Sequence, residues 1–134
     1  MIALDQLDCK IFVESPLHLD ELARKLFERI QSSGEIGSSG EVLRFSFAEV
    51  EVRNNEDACP DRATEFPDGF LFFRYSLELY VDPSSCVKIS LVSDILKVCW
   101  ENGWPAVAAC AYEHELPEGG GHKSHQVPWP GVAV

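Results

Sequence analysis

Between Gly69 and Asp82 the chain alternates without a break. Leu71, Phe73, Tyr75, Leu77, Leu79 and Val81 fall on one side. Phe70, Phe72, Arg74, Ser76, Glu78 and Tyr80 fall on the other. A period of two over so long a run is a strand, and aromatics on both sides make it a central one whose second face is partly covered. A chain organised around such a strand has to build a sheet, and the other segments are read as what completes it.

Two segments have helical spacing. Leu19, Leu22, Ala23, Leu26, Phe27 and Ile30 recur at intervals of three and four, which predicts an amphipathic helix over residues 17–31. Ser15 is its candidate N-cap, with Pro16 at the first helical position. Asp82-Pro83 opens a second helix in the same way; Val87, Leu91, Val92, Ile95, Leu96, Val98 and Cys99 form its stripe, and Asn102-Gly103 closes it. Lys10–Glu14 is a short β-rich run. Gly34–Gly40 reads as a Gly/Ser linker. Glu41–Arg53 alternates, but Leu43, Phe45 and Phe47 share one parity while Val50 and Val52 share the other. The phase slips near Ala48-Glu49, which predicts a bulge or bend. Pro105–Leu116 reads as a last strand.

The order is βαββαβ, the split βαβ or ferredoxin-like arrangement. It predicts an α+β fold: an antiparallel four-stranded sheet with two helices on one face. Right-handed crossovers would place the first and third strands at the centre and the second at an edge. Residues 1–116 would form this single domain, and residues 117–134 a Gly/Pro-rich C-terminal tail packed on the sheet, with His122 and His125 on a mobile loop.

Charge narrows the partners. The chain has 22 acidic and 11 basic side chains, a net charge of −11. Phosphate backbones and anionic membrane surfaces repel such a chain, so neither nucleic acid nor membrane is expected. The first eight residues carry no basic and apolar leader pattern, and the five cysteines form no CxxC pair. Reduced thiols in the cytoplasm are the expectation, with Cys99 and Cys110 in the core.

The acids fall in three groups. One is the stretch Glu56, Asp57, Asp61, Glu65 and Asp68, within a fifteen-residue loop that is long enough to suggest function. Another is Glu49 and Glu51 on the second strand. The third is Glu113 and Glu115 at the end of the last strand, with Glu118 beyond. If they merge they would steer and hold a basic protein partner. No P-loop, GxGxxG or GxSxG pattern is present, so no catalytic residue and no cofactor is assigned. His114, His122 and His125 lie near Glu113 and Glu115 but lack an HExxH context, so no metal site is assigned either. Phe70, Phe72 and Tyr80 would line the uncovered sheet face. The tail around Trp129, a second copy forming a homodimer through the open face, or a partner protein could cover them.

The stretches Asp68-Gly69-Phe70-Leu71-Phe72-Phe73-Arg74-Tyr75 and Trp104-Pro105-Ala106-Val107-Ala108-Ala109-Cys110, with Glu113-His114-Glu115-Leu116-Pro117, look like small bacterial proteins of similar length. A small acidic α+β chain without a catalytic motif resembles the immunity proteins of bacterial toxin–immunity pairs. The resemblance is one of type and assigns no residue. It implies a non-catalytic protein that neutralises a basic toxin domain by electrostatic occlusion. The alternatives are a small-ligand or enzymatic module on the same scaffold, or a homo-oligomeric accessory protein.

Overall fold

The computed structural model describes residues 7–30, 34–36, 41–45, 47–82 and 88–130. Cys86, Val87, the Pro83 cap, most of the Gly/Ser linker and the apolar end after Pro130 lie outside the described residues.

Among the described residues six strands form one sheet: β1 (Leu7–Val13), β2 (Gly34–Ile36), β3 (Val42–Phe45), β4 (Ala48–Asn54), β5 (Tyr75–Val81) and β6 (Ala106–Ala109). The helices are α1 (Leu19–Arg29), α2 (Pro60–Ala63) and α3 (Lys88–Glu101). The order across the sheet is β2-β3-β4-β5-β1-β6, and every neighbouring pair is antiparallel. The expected four strands are therefore too few, although the first and third of them, now β1 and β5, do lie side by side.

The extra strands come from the phase slip. It marks a chain reversal, not a bulge: β3 and β4 pair as a hairpin, with Leu43 opposite Val50. Leu43 and Phe45, then Ala48, Val50 and Val52, all enter the same core. A strand that turns back restores its inward parity on the return run. β4 is consequently interior, between β3 and β5, where a simple edge strand was expected.

α1 and α3 cover one face. Leu22, Ala23 and Leu26 of α1 and Leu91, Val92, Ile95, Leu96 and Cys99 of α3 pack on Ile11, Val13, Leu77 and Leu79. α1 starts later than expected. The Ser15 hydroxyl accepts the Leu17 N–H at 3.2 Å, forming a turn ahead of the helix. His18 is the cap residue instead, and its N–H is taken by Glu21 Oε1 at 3.0 Å.

Two expected strands are shorter than read. Residues 68–72 form a 3₁₀ turn, so β5 begins only at Tyr75. The reason is hydrogen bonding: the carbonyls of Leu71 and Phe73 are claimed by the Asn55 side chain, and that of Phe72 by the Cys59 N–H. The last strand stops at Ala109, because the Glu113 carboxylate accepts the Cys110 N–H at 3.0 Å and turns the chain into a 3₁₀ turn at Glu113–Glu115.

The second sheet face is partly covered by the chain itself. Phe12 of β1 and Val107 of β6 pack with Ala63 of α2, Phe73 and Trp129 in a separate buried cluster. Gly120 and Gly121 are buried on β6, so the segment carrying His122 is anchored where a mobile loop was expected.

Candidate functional site

Strand parity decides what the rest of the second face presents. Residues alternating with the core positions are Arg44 on β3, Glu49, Glu51 and Arg53 on β4, and Ser76, Glu78 and Tyr80 on β5. No buried apolar cluster covers these among the described residues. A groove of about 510 Å³ opens here. Five carboxylates line it (Glu41, Glu51, Glu56, Asp57 and Glu78), with two bases, Lys10 and Arg53, among them.

The floor holds an unfavourable pair. Glu51 and Glu78 face each other across β4 and β5. Like charges directly opposite in a sheet repel. Arg53 lies between them, with Nη2 3.2 Å from Glu51 Oε2 and Nε 3.0 Å from Glu78 Oε1. Its hydrogen bond to Glu51, and the charges of Glu51 and Glu78, hold the guanidinium above its ordinary pKa. Among the described residues Arg53 is the cation within 4 Å of both carboxylates, while Lys10 stands opposite Glu78 in the β1–β5 register without an ion pair that short. Tyr80 Oη donates to Glu78 Oε1 at 3.4 Å, and burial first, then Glu78 and Glu51, push the phenol up.

The rim is fixed by Asn55. Its Nδ2 donates to the Leu71 carbonyl at 2.9 Å and to the Phe73 carbonyl at 2.7 Å. Its Oδ1 accepts the Asp57 N–H at 3.1 Å, and its own N–H reaches the Arg74 carbonyl at 2.9 Å. One side chain therefore ties the segment bearing Glu56 and Asp57 to the chain entering β5. Asn55→Ala keeps the backbone bond but strands the three partners of the side chain, and is expected to cost about 1–3 kcal/mol. Urea unfolding checks it; a change below about 0.5 kcal/mol would mean that Asn55 does not hold the rim.

Two of the three expected acidic groups meet in part. Glu51, Glu56 and Asp57 line the groove. Glu49 sits on the same strand but pairs with Arg44 at 3.3 Å and is not among the lining residues. Asp61, Glu65 and Asp68 are exposed on and beside α2 and the 3₁₀ turn, outside the groove. Asp68 is 3.3 Å from His122 Nε2. Glu113 and Glu115 lie beyond β6, separated from β4 by β5 and β1 in the sheet order. They occupy a 3₁₀ turn and do not share a strand face. Glu41, Glu78, Lys10 and Arg53 were not anticipated. For Glu78 the signal was present: it shares the parity of Ser76 and Tyr80 on the strongest strand.

The three aromatics expected on the open face do not form a row. Phe70 packs edge-on against Phe12 at 5.4 Å, Arg62 lies 3.9 Å over the Phe72 ring, and only Tyr80 belongs to β5. His125 stacks on Phe66 at 4.6 Å, and His122 packs against Phe70 at 5.2 Å. Among the described residues, no group of three or more His, Cys, Asp or Glu is placed to hold a metal ion. No described helix is long and apolar enough to cross a membrane. Comparison with family models, with curated protein sequences and with solved structures gives no match.

Proposed function

We propose that the chain is a non-catalytic binding protein, an immunity protein that neutralises a basic toxin domain by receiving its Arg and Lys side chains in the groove. The observation that carries this reading is the pair Glu51 and Glu78, which face each other and share one guanidinium. A second guanidinium or ammonium from a partner would give each carboxylate a counter-ion of its own. Charge-assisted hydrogen bonds to a planar guanidinium are strong and directional. Glu41, Glu56 and Asp57 at the rim would steer the partner in. In this reading β6-β1-β5-β4 with α1 and α3 is a ferredoxin-like core, and the β2–β3 extension widens the face that receives the partner.

The groove's volume also lies in the range of small-ligand sites, which favours the alternative of a ligand-binding or enzymatic module. Such sites are mostly apolar, whereas charged and amide side chains dominate this lining.

The test is co-purification with the product of the neighbouring gene, followed by Glu51→Gln and Glu78→Gln variants. Each variant is expected to weaken binding by about tenfold, about 1.4 kcal/mol. Wild-type affinity is expected to fall as salt rises from about 50 to 300 mM. A complex indifferent to both changes overturns the electrostatic mechanism. Failure to bind that product, with no protection of cells expressing it, overturns the immunity reading.

A further inference from the structure

We propose that Cys110 and Cys9 form a peroxide-responsive thiol pair, in which Cys110 is oxidised and Cys9 resolves it to a disulfide across the β1–β6 seam. This site lies on the sheet edge away from the groove and is independent of the partner-binding reading.

The register supplies the geometry. Lys10 and Ala109 form the last pair of the β1–β6 ladder, and Cys9 and Cys110 are the next residues of the two chains beyond it. Facing residues of antiparallel neighbours have Cα atoms roughly 4.5–5.5 Å apart. That separation lies inside the span a disulfide needs. Both cysteines belong to the helix-covered core, Cys9 at 1% exposure and Cys110 at its half-buried margin.

The surroundings separate the two roles. The neighbouring Cys9 thiol, and to a smaller degree the Tyr112 backbone, favour the Cys110 thiolate; burial and the charges of Glu113 and Asp8 oppose this only in part. Cys9 is pushed the other way, by the neighbouring Cys110 and by burial. The Cys110 N–H is anchored on Glu113, and the Tyr112 hydroxyl on Asp8. Lys88 lies 4.9 Å over the Tyr112 ring and 3.8 Å from Asp8, so the cluster is tied to the start of α3. Cys110 is partly exposed to solvent, whereas Cys9 is closed off from it. Cys99, by contrast, is fully enclosed, and burial pushes its thiol up to about 12.

Two steps balance. The Cys110 thiolate attacks hydrogen peroxide, the O–O bond breaks, and the hydroxide released takes up a proton to leave as water. Cys110 is then a sulfenic acid. The Cys9 thiol attacks that sulfur, the S–S bond forms, and the sulfenic oxygen leaves as a second water with the Cys9 proton. The pair gives up two electrons and the peroxide is reduced. A thiol reductant restores both side chains by exchange.

The full-length reduced chain is treated with hydrogen peroxide, quenched with catalase, denatured and alkylated with N-ethylmaleimide. Intact mass and peptide mapping then count the thiols. Three of the five cysteines are expected to remain alkylatable, with a Cys9–Cys110 cross-link that dithiothreitol reverses. Cys110→Ser, at a partly exposed position, is expected to keep all its remaining thiols. Cys9→Ala is expected to stop at a sulfenic acid on Cys110 that dimedone traps; if that variant does not fold, Cys110→Ser alone decides. Retention of all five thiols under peroxide that oxidises free glutathione overturns the proposal. So does a cross-link through Cys59 or Cys86, or over-oxidation of Cys110 with Cys9 intact.

Discussion

Trp129→Ala is expected to destabilise the protein by about 3–5 kcal/mol, the range for truncating a large buried aromatic. Trp129 is 6% exposed although it lies near the C-terminus. Its ring meets Phe73 edge-on at 5.4 Å and Phe66 at 5.1 Å, and its Nε1 donates to the Thr64 carbonyl at 3.2 Å. Through Phe12 and Val107 it also reaches the second face of β1 and β6. Removing it opens a void bounded by the sheet, α2 and the 3₁₀ turn, and those walls are held apart by their own hydrogen bonds. Trp129→Phe keeps most of the packing and loses the N–H, so about 1–2 kcal/mol is expected there. Urea unfolding of the three proteins measures both. A loss below about 1 kcal/mol for Trp129→Ala would mean that the C-terminal segment contributes little to the fold.

Gly121→Ala is the second large effect. Gly121 has φ +93°, a backbone conformation that side chains rarely adopt, and a Cβ there would stand 2.7 Å from the Ala106 carbonyl oxygen and 3.1 Å from Trp100 Cζ2. The backbone conformation alone costs about 1–3 kcal/mol. The clash adds to it, because the nearest atom is strand backbone that cannot move without disturbing the β1–β6 pairing. Trp100 Nε1 donates to the same carbonyl at 3.1 Å, so the indole must shift as well. Gly119→Ala is the matched control: its φ is +62° and its Cβ would meet nothing within 4 Å. It should show only the conformational cost. Equal losses at the two positions would contradict the close approach to β6.

What could be read in the residue order was periodicity. The stripes of α1 and α3 and the run from Tyr75 to Val81 were plain, because each buries one face and repeats at the period of its element. Boundaries were hidden wherever a side chain competes with the backbone ladder. Asn55 takes two carbonyls that would otherwise extend β5, and Glu113 takes the N–H that would extend β6. Such competition is set by contacts between distant residues, and local alternation at Phe70 and Phe72 cannot reveal it. The slip between Phe45 and Ala48 was visible, but alternation alone does not separate a bulge from a reversal. The groove was half legible for a related reason. Charge runs marked Glu56 and Asp57, but Glu78 joins Glu51 only through the β4–β5 register, and Glu113 and Glu115 are kept from it by two intervening strands.

The turn that carries Gly120 and Gly121 also decides how this molecule can meet copies of itself. A sheet ends in a strand whose outward carbonyls invite another strand to add on. At β6 the Ala106 carbonyl is already bonded by the Trp100 indole, and a Cβ at Gly120 would lie 3.1 Å from the Ala108 carbonyl. The two glycines let the main chain lie flat against that margin, where a bulkier backbone would stand off and leave a slot. The sheet is therefore sealed along one side. Edge-to-edge stacking, the first step toward fibrous aggregates, is barred at β6, and two small residues provide that protection.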